Sequence, residues 1–496
     1  MLATAANYYV DFSAGSDTKT GAATNTAWQH CPGDANATSL PAATTLHPGD
    51  VVNFRGGVVY DGQVQVGING SAGSPITFQS DAGWGSGQAI MVGTLGGTNG
   101  YGSAFLIGYY GGGNYITVSG FEIRNFLNAG VQSYGNNTTV FNNLIHHIGR
   151  FPYSFADDGG YGFGFYVRGC ANPICVSNTM YDLNEVAFYP VPPLTNCIVW
   201  GNEFYHIQDH AIIGGISGGY TLIAYNRIHD QTNALSHDDG IQIMYWGFDT
   251  NCLIVAKNIL WNNNQDIFLN PGGSGYAVNG DAYLFDNVLL NTDSINGTGG
   301  YFNGIRVYVG INSWNNLYIF NNTVCMKNAA YGGVAVLAEG PNSNNGLYYD
   351  STNLYDYNNL LYQSYSTTTN TPNLHNIFAG YNAETNSAHG NWLGNNEISS
   401  VYGSIVFANF NTNNQPNSDF HLAAGSTGIG QGTNLSSFIP SNKFSFLPAP
   451  YQIDPTKDAA GSQRGTSWDI GAYQHSSNGA TSDPPAPPNG LVVVGP

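Results

Sequence analysis

"VFNNLIHHI", residues 140–148, sets Asn143 between two short apolar runs, and the same arrangement returns along the chain. Laying it over "CVSNTMYDL" (175–183), "IVWGNEFYHI" (198–207), "IAYNRIHD" (223–230), "VAKNILWNN" (255–263), "LFDNVLLN" (284–291), "IFNNTVCM" (319–326) and "YDYNNLLYQ" (355–363) superposes Asn143, Asn178, Asn202, Asn226, Asn258, Asn287, Asn322 and Asn359. Gly120 in "VSGFEIRN" takes the same place one turn earlier. The intervals run from 23 residues (120 to 143) to 37 (322 to 359), so a constant core is repeated with loops of variable length. Stacked coils bury a continuous core that no single coil could bury alone. An asparagine at one interior corner is tolerable if its amide bonds the coils on either side, which predicts an internal asparagine ladder.

Composition agrees with this repeat. Glycine (65), tyrosine (33) and phenylalanine (25) are abundant, while Lys plus Arg number only 12 in 496 residues. That balance favours strands joined by turns over helices and predicts an all-β chain. A net charge of −19 repels nucleic acid and anionic membranes, so neither is expected as a partner and a neutral ligand is the easier one. With 9% charged and 42% hydrophobic residues the chain is not of disordered type. Cys31, Cys170, Cys175, Cys197, Cys252 and Cys325 are too few for a disulfide scaffold and lack zinc-ligand spacing. Cys170 and Cys175 in "GCANPIC" either close a small loop disulfide or remain buried thiols. No stretch reads as a transmembrane span. The opening "MLATAANYYV" lacks the basic and apolar regions of a signal peptide and reads as a mature secreted chain with an added Met, which places it outside the cell.

The opening segments "NYYVDFSAGSDTKTGAATNTAW" (7–28), "LHPGDVVNFRGGVVYDG" (46–62) and "GSPITFQS" (73–80) are similar to the N-terminal entry of many secreted β-helix proteins. "DFHLAAGSTGIGQGTN" (419–434) and "WDIGAYQ" (468–474) look like the closing coils of the same group. With the asparagine repeat, these make the chain resemble the pectate-lyase-like superfamily of right-handed parallel β-helices across residues 7–475. The resemblance implies a right-handed parallel β-helix, a solenoid: an entry cap and first coils over 1–105, a central helix carrying an active groove over 106–410, and closing coils over 411–475. Residues 476–496 read as a Pro/Gly/Ser-rich linker after which a further module could follow. The fold hosts lyases, hydrolases, epimerases and adhesins, so function must be argued from a site.

After each asparagine and its loop comes a second strand: "GFGFYVRG", "EVAFYPV", "HAIIGGI", "GIQIMYW", "DIFLNP", "GIRVYVG" and "GVAVLAE". Alternation turns Ile241, Ile243, Ile267, Leu269, Ile305 and Val307 inward, and Gln242, Met244, Phe268, Asn270, Arg306 and Tyr308 outward. That outward face is where the resembling enzymes place their substrate groove. At the junction of loop and strand the chain reads Asp157-Asp158, Glu185, Asp209-His210, His237-Asp238-Asp239 and Asp266, acid at nearly one angular position in five consecutive coils. Strands stack about 4.8 Å apart, so carboxylates one or two coils apart approach to about 5 or 10 Å. Those separations bracket the two carboxylate geometries of glycosidases. Crowded carboxylates raise one another's affinity for protons, which leaves one an acid and its neighbour a base.

The pattern is similar to the pectin-hydrolysing branch of the superfamily, in which one Asp precedes an Asp-Asp pair by a coil and a basic residue follows. Here "QDH", "HDDG" and "GIRVY" fill those places. The Gly-His-Gly turn of that branch is missing, its place being taken by "NNNQDIFLN", and no lyase-type pair of basic residues is present. These readings make Asp209, Asp238 and Asp239 the expected catalytic residues, with Glu185, His210, His237 and Asp266 supporting. Arg168, Gln242, Tyr245, Trp246, Asn270, Arg306 and Tyr308 are the expected substrate contacts. The plainer account of a single Asp is a turn cap, and of the aromatics, core filling. No cofactor is required, although carboxylates and loop carbonyls are ligands that calcium could use. The expected function is a secreted glycoside hydrolase acting on a polysaccharide. The alternatives are a lyase or epimerase on a uronate polymer, and a glycan-binding or adhesin-type solenoid without catalysis.

Overall fold

The computed structural model describes residues 5–93, 102–150, 161–215, 218–231, 239–244, 252–270, 280–291, 303–308, 314–326, 334–339, 353–362, 365–369, 376–380, 383–384, 405–410 and 418–475. The chain divides into two compact units, one ending at Gly215 and one spanning Ile216–Asn489. Each is built of short parallel strands that rise coil by coil in three sheets, the architecture of a right-handed parallel β-helix. Asp238, His237, Tyr245, Trp246, Asp157 and Asp158 lie outside the described residues. Among the described residues no helix is long and apolar enough to cross a membrane.

In the first unit, sheet one runs through Ile116–Ser119, Thr139–Phe141, Ile174–Val176 and Cys197–Trp200. Sheet two runs through Glu122–Arg124, Leu144–Ile148, Thr179–Leu183 and Glu203–Ile207. Sheet three runs through Ser103–Ile107, Ala129–Ser133, Phe163–Arg168, Val186–Val191 and His210–Gly214. The entry to this unit is held by buried carboxylates. Asp17 accepts from the backbone N–H groups of Gln29, His30 and Thr38 at 3.1, 2.9 and 2.9 Å, and Asp11 accepts from Arg55 at 2.7 Å.

In the second unit, sheet one includes Tyr220–Ala224, Cys252–Ala256, Asp281–Phe285, Asn316–Phe320 and Asn353–Tyr357. Sheet two includes Arg227–His229, Ile259–Trp261, Val288–Asn291, Thr323–Met326 and Leu360–Tyr362. Sheet three includes Asp239–Met244, Gln265–Asn270 and Asn303–Tyr308. Ile241, Ile243, Ile267, Leu269, Ile305 and Val307 are all fully buried, so alternation assigned the inner face of sheet three correctly.

The repeated asparagines stand at the corner from sheet one to sheet two. In the first unit the Nδ2 of Asn143 donates to Asn178 Oδ1 (3.1 Å), and the Nδ2 of Asn178 donates to Asn202 Oδ1 (3.1 Å). In the second unit Asn226, Asn258, Asn287, Asn322 and Asn359 are linked in the same way, at 2.9 to 3.0 Å. The Nδ2 of Asn143, Asn178, Asn202, Asn258, Asn287, Asn322 and Asn359 also reaches a strand carbonyl below, as from Asn287 to Val255 at 2.9 Å. Gly120 does not belong to this row. The backbone N–H of Phe121 donates to Asn143 Oδ1 (3.0 Å), so Phe121 holds the equivalent position, while Gly120 falls on the turn residue before it.

That preceding residue is left-handed in every coil: φ is 55° at Asn142, 54° at Ser177, 58° at Tyr225, 59° at Lys257, 54° at Asp286, 55° at Asn321 and 58° at Asn358. A non-glycine residue pays roughly 1–2 kcal/mol for this conformation. Its recurrence shows that the turn is imposed by the bonds around it.

The C-terminal segment, 405–475, does not continue the coil. Ile405, Phe407, Phe420, Leu422, Ala459, Ile470, Ala472 and Tyr473 pack over the outer side of sheet two in the second unit, against Ile259, Trp261, Val288, Leu290, Cys325 and Leu360. It is pinned at the left-handed corner. Lys257 Nζ donates to Asp286 Oδ2 (2.9 Å) and to the carbonyls of Lys457 and Asp458 (2.7 and 2.5 Å), and Arg464 Nη2 donates to Asp286 Oδ1 (2.8 Å). All six cysteines are buried free thiols, which settles the choice left open for Cys170 and Cys175. Burial pushes the Cys170 thiol up to about 12.

Candidate active site

The outer face of sheet three carries a polar and aromatic surface in the first unit. Register aligns Leu106, Gln132, Tyr166 and Tyr189 on successive strands, with Arg168 exposed at the end of the strand that holds Tyr166. Tyr134 follows Gln132 at the next outward position, and its hydroxyl accepts from Gln132 Nε2 at 2.7 Å. Gln132 is held in turn by Asn128 and Ser103, which donate to its Oε1 at 2.7 and 3.0 Å. Tyr109, Tyr134, Tyr166 and Tyr189 form a chain of rings with centroids 5.3, 6.5 and 5.6 Å apart, and Phe163 stacks on Tyr189 at 5.2 Å. Tyr134, Tyr166 and Tyr189 are half-buried, and Tyr109 is exposed. Burial is the main cause that raises the Tyr189 hydroxyl, reinforced by Tyr166, Glu185 and Asp209 and opposed by Arg168, so the group stays a neutral donor.

Glu185 and Asp209 stand at the entry of successive strands beside this row, and the Asp209 N–H donates to the Glu185 carbonyl at 3.2 Å. His210 follows Asp209 into the strand opposite Val186. Its Nδ1 lies 2.7 Å from Asp209 Oδ1, with the imidazole nearly buried and the carboxylate 32% exposed. The first unit therefore brings together four of the expected site residues, Arg168, Glu185, Asp209 and His210, around Tyr189.

In the second unit the register corrects one placement. Asp239 pairs with Gln265, and Ile241 with Ile267, so Asp266 falls opposite Gly240 and not beside Asp239 in the acid row. Asp266 is fully buried and accepts from Asn263 Nδ2 at 2.9 Å. Burial raises its carboxyl well above the usual carboxylate range, the Asn263 bond opposes this, and the nearby Asp239 adds to it. Asp239 and Gln265 are also fully buried, at the start of their strands. Gln242 and Arg306 face outward by alternation, yet both are buried, and the Arg306 guanidinium lies 5.0 Å above the Phe268 ring. Asn270 ends its strand opposite Met244 and is partly exposed. Tyr308 pairs with Glu339 through the backbone, its side chain lying outside the described residues. Among the described residues no group of three or more His, Cys, Asp or Glu is arranged to hold a metal ion.

Sequence reasoning missed the tyrosine row and Gln265. The signal for the tyrosines was present: "GFGFYVRG" and "EVAFYPV" carry Tyr166 and Tyr189 at one strand offset. For Gln265 it was the isoleucine register, since "DGI" and "QDI" align on their isoleucines and place Gln265 under Asp239.

No family model matches the chain, and no curated protein matches it. Among solved structures the chain is similar to XylC, determined in complex with xylose, with a TM-score of 0.57 at 11% identity over 94% of this chain and 98% of that one. It is also similar to pectate lyase Pel9A (TM-score 0.46, 16% identity, 96% and 97% covered). A third is the GH136 lacto-N-biosidase from Eubacterium ramulus (TM-score 0.37, 11% identity, 76% and 67% covered). At 11% identity the similarity to XylC is one of fold alone.

Proposed function

We infer that the protein is a secreted carbohydrate-active enzyme that hydrolyses a neutral or weakly charged polysaccharide along the outer face of sheet three. The observation that carries this reading is the Glu185 and Asp209 pair on successive strands, lying beside a row of tyrosines with Arg168. Phenol faces suit the apolar faces of sugar rings, while Gln132 and Arg168 suit hydroxyl groups. A neutral sugar such as the xylose held by XylC also agrees with the net charge of −19.

In the proposed reaction Asp209 takes one of the acid and base roles, and Glu185 on the preceding strand is the carboxylate placed to take the other. The acid gives its proton to the departing glycosidic oxygen, and the base takes one from the water that adds to the anomeric carbon. His210, whose Nδ1 lies 2.7 Å from Asp209 Oδ1, orients that carboxylate. The alternative is a lyase on a uronate polymer, favoured by the exposed guanidinium of Arg168, a cation suited to a uronate carboxylate.

The test is a product assay on neutral and uronic polysaccharides, with and without EDTA. New reducing ends without ultraviolet absorbance, lost in Asp209→Asn and Glu185→Gln and unaffected by EDTA, are the expected result. Absorbance from a new double bond assigns the site to a lyase, and activity that EDTA removes and calcium restores assigns the acids to calcium. Absence of any product leaves a binding solenoid.

A further inference from the structure

A second polar cluster lies on sheet two of the first unit, outside the surface just described. Its centre is His146 and His147, adjacent in sequence and turned toward each other because His147 is left-handed (φ 53°). Their Nδ1 atoms are 2.6 Å apart. The other ring nitrogens both face carboxylates: His146 Nε2 lies 3.4 Å from Glu122 Oε1, and His147 Nε2 lies 3.6 Å from Asp182 Oδ2. The remaining oxygen of Asp182 lies 3.6 Å from His206 Nδ1. Register supports the arrangement, because His146 sits between Arg124 and Tyr181 on the neighbouring strands.

Tautomers decide what this geometry means. A carboxylate opposite Nε2 favours the proton on Nε2, as it does for histidines oriented by carboxylates elsewhere. Applied to both rings, that choice leaves two Nδ1 lone pairs aimed at each other across 2.6 Å, which repel unless a cation lies between them. A proton shared by the two nitrogens is the cation that fits so short a separation, and it makes the bond charge-assisted. We propose that His146 and His147 form one proton-binding site, holding a single shared proton at neutral pH between Glu122 and Asp182, and that a second proton breaks the pair in acid.

The surroundings agree. Glu122 is also bound by Arg124, at 3.1 Å, so its charge is partly neutralised and His147 with Asp182 is the more strongly anionic end. Tyr181 stacks flat on His146, with ring centroids 4.8 Å apart and planes at 0°, and Tyr205 stacks on Tyr181 at 4.9 Å. Both phenols are raised, chiefly by burial, and stay neutral. Glu203 is the further carboxylate near Tyr205. His146 itself is lowered by burial first and by His147 second, against the pull of Glu122, which is the direction expected for a ring that resists the second proton. Two rings that share a proton titrate as one system with two steps.

The consequence is an acid-sensitive fastening between Glu122–Arg124, Leu144–Ile148 and Thr179–Leu183. Between the two steps the shared proton ties these three successive coils together. Below the lower step two imidazolium rings face each other and the fastening opens.

Nuclear magnetic resonance of the full chain labelled with ¹⁵N in histidine tests this. The wild type should show one strongly deshielded imidazole proton coupled to two Nδ1 atoms, and two titration steps separated by more than a pH unit. His147→Gln should abolish that resonance and move the remaining step of His146 toward ordinary imidazole behaviour, and Asp182→Asn should make the shared proton leave at lower pH. Independent single-step titration of both rings in the wild type would overturn the proposal and needs no variant to be seen. So would a His146 titration unchanged in His147→Gln.

Discussion

Replacing Asn287 by alanine should cost far more than an alanine at a part-exposed outer position of sheet one, and the hydrogen bonds give the size. The Asn287 Oδ1 accepts from the N–H and the Nδ2 of Asn258, at 3.1 and 3.0 Å. Its Nδ2 donates to the Val255 carbonyl and to Asn322 Oδ1, at 2.9 and 3.0 Å, and the residue is fully buried. Alanine leaves the Asn258 N–H, one Asn258 amide hydrogen and the Val255 carbonyl without their partner. Asn322 Oδ1 keeps the bond from the Asn287 backbone at 3.1 Å. At roughly 1–3 kcal/mol for each of these three buried groups left unsatisfied, the loss is about 3–9 kcal/mol. The control is Asn316→Ala on the outer side of sheet one. Asn316 donates to Asp281 Oδ1 at 2.7 Å and accepts from Asn353 at 3.0 Å, and both contacts are part-exposed, so about 1 kcal/mol is expected. Urea denaturation followed by circular dichroism should show a much larger fall in midpoint for Asn287→Ala. Equal midpoints for the two variants would refute the argument, because the interior amide would then carry no more than a surface one.

Asp286→Ala leaves the buried Lys257 and Arg464 charges facing each other, and about 3–5 kcal/mol should be lost in thermal unfolding. The triple variant Lys257→Met, Asp286→Leu, Arg464→Met should recover most of that loss. Asp11 and Asp17 are pulled upward by burial but held lower overall by the groups that donate to them. A depressed carboxylate contributes stability above its unfolded value of about 3.9 and loses it as pH falls through the folded value. Limited proteolysis should therefore show the N-terminal segment opening in acid, and Asp17→Asn should flatten that dependence. Asp266 has the opposite sign: its raised carboxyl contributes stability below about pH 3.9 that disappears as pH climbs toward the folded value. Asp266→Asn should thus gain melting temperature over the wild type as pH rises, and a gap that does not change with pH would sink the assignment.

The coil was legible because its strongest constraint acts on side-chain identity. An amide that must both donate and accept along a buried corner admits asparagine almost alone, so Asn143 to Asn359 mark the coils in the sequence. The turn residue before each asparagine was not legible. Its constraint acts on the backbone, and the chain meets it with Asn142, Ser177, Tyr225, Lys257 and Asp286 alike. The acid stack was legible in part. Glu185 and Asp209 do stand on neighbouring strands, but Asp266 was assigned by its charge and lies one residue out of phase, fully buried. In a strand a shift of one residue exchanges the two faces, so charge is a poorer guide to register than the isoleucines beside it.

The pinning of the C-terminal segment at Lys257 also sets an order of events during synthesis. The two carbonyls that receive the lysine belong to residues 200 and 201 positions later, and the arginine that completes Asp286 comes 178 positions after it. At ribosomal rates of about 5–20 residues per second, Lys257 waits roughly 10–40 s for those partners. Through that interval the apolar outer side of sheet two, from Ile259 to Leu360, is made but uncovered. The nascent second unit therefore keeps that surface open until residues 405–475 leave the ribosome, and a chain stalled or clipped before them would expose it permanently.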